Sequence, residues 1–163
     1  MANDIESLLS ERRVFAPPAE LAARAEVKSM AAYEALYARA AADLEGFWAD
    51  EARRLDWIQP FTQIRDESKA PFVRWFADGK LNLAANCLDR HLAARGDKPA
   101  LVWIGEPGDR KTLSYRELHA EVCRAANALG ALGIGAGDRV AIYLPMIPEL
   151  AVALLACARI GAT

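Results

Sequence analysis

The sequence predicts an α/β fold: a helical layer first, then the opening strands and helices of a domain built around a mostly parallel sheet. Three observations carry that reading. Residues 1–60 repeat apolar side chains at three- and four-residue spacing. From Phe72 onward, short β-prone runs alternate with amphipathic helical stretches. The most apolar stretch, Val140 to Ala158, is divided by Pro145, Pro148 and Glu149 into a strand and then a helix, which also excludes a membrane span. The 163 residues are 53% hydrophobic and 26% charged, enough to bury a core and unlike collagen or a wholly disordered chain. A net charge of −2 lacks the basic excess of a general nucleic-acid binder.

Residues 1–15 are polar and read as frayed, with a short helix at most; the acids among them exclude a secretory signal. Pro18 opens a helix from Ala19 to Ala25. A second runs from Met30 to Ala41, with Tyr33, Leu36, Tyr37 and Ala40 on one stripe. Asp43 caps a third, which carries Leu44, Phe47, Trp48 and Leu55 and ends before Pro60. The stripe is too thin to form a core alone, so this layer is expected to dock on a neighbouring body.

Phe72–Phe76 reads as a short aromatic strand ended by the turn pair Asp78-Gly79. Asn82 caps a helix to Ala94 with Leu83, Cys87, Leu88 and Leu92 inward. Ala100–Ile104 is a strand, Gly105–Asp109 a turn, and Lys111–Leu113 the returning strand. Ser114 and Glu117 form an S-x-x-E capping box that opens a helix to Leu132, with Leu118, Val122, Ala125, Ala126 and Leu129 inward. Gly133, Gly135 and Gly137 stop that helix and turn the chain into a buried strand at Arg139–Leu144. Pro148 starts a last helix and Gly161 ends it. Since Ala162-Thr163 stand where the next strand begins, the chain is expected to be part of a longer one, cut on its C-terminal side.

Residues that could carry chemistry each have a plainer role. The glycines Gly130, Gly133, Gly135 and Gly137 follow a helix and enter a strand, the reverse of a dinucleotide fingerprint, and no Walker-type loop occurs. Cys87, Cys123 and Cys157 lie far apart without metal-ligand spacing, which excludes a zinc site or disulfide framework and suits a reducing cytosol. All three sit on apolar stripes, favouring packing over nucleophilic chemistry. His91 and His119 lie on helices, and a catalytic role for either needs an oriented partner that sequence does not name. Trp48, Trp57, Trp75 and Trp103 are read as core or interface anchors, and Arg53-Arg54 as solvated surface.

Several segments together resemble a known family. Leu113-Ser114-Tyr115-Arg116-Glu117-Leu118 is similar to the first core motif, L-[TS]-Y-x-E-L, of the acyl-adenylate-forming superfamily. Trp75 through His91 (WFADGKLNLAANCLDRH) and Gly137 through Glu149 (GDRVAIYLPMIPE) are more specific, and resemble AMP-forming acetyl-CoA synthetases. Ala156-Cys157-Ala158-Arg159-Ile160-Gly161-Ala162 is similar to the start of the second core motif. Tyr33-x-x-Leu-Tyr37 and Phe47-Trp48-Ala49 resemble the helical N-terminal extension of those enzymes. The resemblance runs from about Ser29 to Thr163.

The resemblance implies residues 1–70 as the helical N-terminal region and 71–163 as the incomplete start of the AMP-binding, adenylate-forming domain. The full-length enzyme would be an acetate–CoA ligase using ATP, Mg2+ and CoA. It would form acetyl-adenylate and pyrophosphate, then acetyl-CoA and AMP, with cations neutralising developing phosphate charge. The family's phosphate loop, acetate pocket, ribose-binding aspartate, CoA-contacting segment and catalytic lysine would all follow Thr163. Catalytic, cofactor-binding and metal residues are therefore none in this chain, which alone is expected to be inactive, to fold poorly and to bind no cofactor. Small-molecule substrates, a cytoplasmic location, and no nucleic-acid or membrane partner follow from the same reading. Propionyl- and acetoacetyl-CoA synthetases share this framework, and a non-catalytic interaction module is the reading from another class.

Overall fold

The structure, a computed structural model, describes residues 14–163. The short helix expected within residues 1–15 lies outside the described residues, save for Val14 and Phe15, which are irregular. The chain forms two compact units that divide after Trp48.

In the first unit, Pro18 precedes helix α1 (Ala19–Arg24), and Ser29 precedes α2 (Met30–Ala42). The Ser29 hydroxyl accepts the Ala32 N–H at 3.1 Å, which satisfies one of the donors a helix start leaves free. Asp43 repeats the device for α3 (Leu44–Ala52), its carboxylate accepting the Gly46 N–H at 2.9 Å. No residue of α1 or α2 is buried, and the predicted stripe stands open, with Tyr33 52% and Tyr37 68% exposed and their rings 6.3 Å apart. The third helix stops at Ala52, earlier than predicted. Beyond it Arg53 and Arg54 turn the chain, and the Trp57 indole donates to the Ala52 carbonyl at 2.8 Å. Leu55 therefore lies past the helix and is exposed.

The second unit opens with the end of α3 and carries a small hairpin, β1 (Arg65–Asp66) against β2 (Arg74–Trp75), antiparallel. Only two residues of the predicted Phe72–Phe76 strand are paired, because Phe72 and Val73 are held in a turn by bonds to Lys69 and Pro71 carbonyls. Phe76 takes a left-handed φ of 50° and sets its ring tilted against Phe61 (4.6 Å) and edge-on to Trp57 (5.9 Å). Asp78 ties this cluster by accepting from the Thr62 N–H (2.9 Å), the Thr62 hydroxyl (2.6 Å) and the Gln63 N–H (3.2 Å).

Asn82 caps α4 (Leu83–Cys87) as predicted, accepting the Ala85 N–H at 3.0 Å. The helix does not run on to Ala94. It breaks at Leu88 into a 3₁₀ turn (Asp89–His91) and a short α5 (Leu92–Arg95). Within α4 the packed face is that of Ala84 and, at its end, Leu88, which are buried, whereas Leu83 and Cys87, predicted inward, are exposed.

The main hairpin pairs β3 (Pro99–Ile104) with β4 (Arg110–Ser114), antiparallel, with a register shift between Pro99 and Leu101. Helix α6 (Tyr115–Ala131) follows without a break, its full capping box in place: Ser114 Oγ accepts the Glu117 N–H at 3.2 Å, and Glu117 accepts the Ser114 N–H at 2.8 Å. Leu118, Val122 and Ala126 are buried, with Ala125 and Leu129 packed beside them, as the periodicity predicts. Helix α7 (Pro148–Ile160) starts on Pro148 and ends at Gly161, whose φ of 77° is the left-handed stop that glycine adopts at least cost. The core is the contact of α6 and α7 with Leu88 and Leu113: Leu88, Leu113, Leu118, Val122, Ala126 and Ala156.

The α/β class stands, with a helical N-terminal part followed by strands and helices. Among the described residues, however, the paired strands are all antiparallel. Arg139–Leu144, predicted as a buried strand, is unpaired along most of its length, and Tyr143 is fully exposed. Its beginning nevertheless exchanges bonds with the chain after α7. The Thr163 N–H donates to the Asp138 carbonyl (2.7 Å) and the Val140 N–H to the Thr163 carbonyl (2.8 Å). This slanted alternation is that of parallel neighbours, so a β–helix–β crossover is started here around α7.

Candidate functional site

Four polar side chains from three elements meet where the 3₁₀ turn, α6 and α7 converge. Asp89 stands at the head of the 3₁₀ turn, His119 and Cys123 one helical turn apart on α6, and Arg159 near the end of α7. Arg159 donates to both carboxylate oxygens of Asp89, at 2.7 and 2.8 Å. His119 Nε2 lies 3.3 Å from Asp89 Oδ1 and 3.4 Å from the Arg159 guanidinium. Cys123 Sγ is 3.6 Å from Nε2 and 3.9 Å from Nδ1 of the same ring. Asn82 joins the seam from its cap position, its amide donating to the carbonyls of Arg159 (3.0 Å) and Ala158 (3.3 Å).

The electrostatics follow from the geometry. The paired hydrogen bonds from Arg159 hold the Asp89 carboxyl down to about 2, with desolvation opposing and His119 adding a smaller pull. Arg159 is raised in return, first by Asp89. Because carboxylate, guanidinium and thiol all approach Nε2, they do not bracket the ring as the members of a hydrolase triad do. The cluster is a bidentate clamp that ties the 3₁₀ turn to α7, with an imidazole and a thiol at its side. Asp89 is thus the oriented partner for His119 that sequence did not name; seventy residues separate it from Arg159, and no local pattern joins positions that far apart. His91 instead meets the edge of the Tyr115 ring at 5.5 Å.

The second feature is an apolar groove of about 310 Å³ between β3 and the start of α7, lined by Leu101, Trp103, Met146, Ile147, Pro148 and Leu154 among others. The Trp103 indole donates to the Met146 carbonyl at 2.7 Å, pinning the chain before α7 to the hairpin. Of the four tryptophans, Trp57 and Trp103 act as the anchors predicted, while Trp48 (47%) and Trp75 (36%) are exposed. Trp75 is covered on one face by the Arg65 guanidinium, 5.6 Å from its ring. Of the three cysteines, Cys157 is buried as expected, Cys123 is partly exposed and Cys87 is exposed. Gly133 and Gly137 take left-handed φ angles of 86° and 88°, and so turn the chain, as their position after a helix requires. Among the described residues no group of three or more His, Cys, Asp or Glu side chains could hold a metal ion, and no helix is long and apolar enough to cross a membrane.

Two family models match end to end. Residues 33–87 match the acetyl-coenzyme A synthetase N-terminus, and residues 88–163 the AMP-binding enzymes. The fold agrees with a solved relative, the acetoacetyl-CoA synthetase from Streptomyces lividans, at a TM-score of 0.76 and 31% identity, covering 90% of this chain and 25% of that one. Fold and family model together set the class, that of the AMP-binding enzymes, over residues 88–163. Among curated proteins, the chain is 57% identical to the acetyl-coenzyme A synthetase of Thiobacillus denitrificans over 97% of its length, and 56% identical to that of Streptomyces avermitilis over 99%. The chain belongs to the acetyl-coenzyme A synthetase family, and spans about a quarter (24%) of the length of these relatives.

Proposed function

We propose that these residues are the N-terminal part of an AMP-forming acetate–CoA ligase, which makes acetyl-CoA from acetate, ATP and CoA through acetyl-adenylate. The observation that carries this reading is the 57% identity to an acetyl-coenzyme A synthetase across 97% of the chain. Residues 1–70 form the helical N-terminal region, and residues 71–163 the start of the adenylate-forming domain. The groups that hold ATP, Mg2+, acetate and CoA lie outside residues 1–163 in this reading. The part described here builds one end of the large domain: the clamp from Asp89 to Arg159 and the core around Val122 fix the helices against which later strands pair. The substrates are small molecules and the enzyme is cytoplasmic, with no nucleic-acid or membrane partner.

An acetoacetyl-CoA synthetase is the second reading, favoured by the solved relative of that name; its 31% identity against 52–57% for the acetate enzymes places it behind. The gene, expressed from its start to its natural stop, tests both. Acetate-dependent ATP–pyrophosphate exchange that exceeds exchange with propionate or acetoacetate is the expected result. Exchange with acetoacetate alone, or none with any of the three from a soluble product, overturns the acetate reading. The 163-residue chain by itself is expected to give no exchange.

A further inference from the structure

We draw no further inference here: the strongest candidate, the apolar groove between β3 and the start of α7 lined by Leu101, Trp103, Ile147 and Leu154 among others, is an unpartnered face, and nothing in the structure shows what covers it.

Discussion

Arg159 grips Asp89 through two guanidinium nitrogens, at 2.7 and 2.8 Å, and so fastens the 3₁₀ turn at the edge of the core to the far end of α7. The clamp makes stability depend on acid. The folded carboxyl sits at about 2 rather than 3.8, so the unfolded chain takes up the proton first as pH falls. The contribution of Asp89 is complete above about pH 4 and is lost toward about pH 2. A shift of that size is worth ~2 kcal/mol in full, and about 1 kcal/mol after allowing for solvent screening of the exposed third of the side chain. Urea unfolding of wild type and Asp89→Asn at about pH 6 and about pH 3 measures it: about half of the contribution is lost by pH 3, so the drop between the two is expected to be smaller in the variant by ~0.5 kcal/mol. Asp66, Asp78 and Glu117 are lowered as well, by their own hydrogen bonds, so both proteins keep some acid sensitivity.

The capping box gives the second prediction. Ser114→Ala removes the acceptor for the Glu117 N–H and the hydroxyl donor to the Glu117 carboxylate and is expected to cost about 1 kcal/mol, whereas Ser114→Thr, which keeps a hydroxyl there, costs less. Denaturant midpoints of the two variants are the measurement, and equal midpoints would show the cap to be idle.

Core and surface leucines should part clearly. Leu88→Ala opens a void among Val122, Leu118 and Ala156 and is expected to cost about 3 kcal/mol. Leu132→Ala, at a side chain 78% exposed, should change stability by less than ~0.5 kcal/mol. A loss at Leu132 as large as that at Leu88 would place the core elsewhere.

Two left-handed glycines test backbone against space. Gly133 (φ 86°) has nothing near where a Cβ would sit, so Gly133→Ala costs only the conformational penalty, about 1 kcal/mol. At Gly161 (φ 77°) a Cβ would also stand 3.2 Å from that of Ala136. Thermal unfolding should therefore rank Gly161→Ala below Gly133→Ala.

Elements with their own local signals were legible in the sequence. Ser114 and Glu117 announced α6, Pro148 and Gly161 bounded α7, and Gly105–Asp109 marked the turn between β3 and β4. What failed depended on partners. Val140–Leu144 has the composition of a buried strand, but a strand is made by its neighbour, and only Val140 finds one here. Leu83 and Cys87 are apolar and a turn apart, which points them inward by pattern, but the face one residue on, Ala84 and Leu88, is the one that finds partners. In the polar seam, each member was visible as a residue type. Their meeting was not, since Asp89, His119 and Arg159 are joined by the packing of α6 on α7 rather than by spacing.

The bonds from Thr163 to Asp138 and Val140 also set a timetable. Polypeptides leave the ribosome from their N-terminal end, at about 5–20 residues per second. The hairpin and α6 draw on residues 96–131 for their own backbone bonds and are free to form as soon as they emerge. The crossover around α7 waits for residue 163, a second or more behind. During that interval Val140–Leu144 is expected to travel as an unpaired edge, and the cell's chaperones meet it in that form. Nascent chains stalled before residue 161 should show exchange protection at the α6 amides and none at Val140.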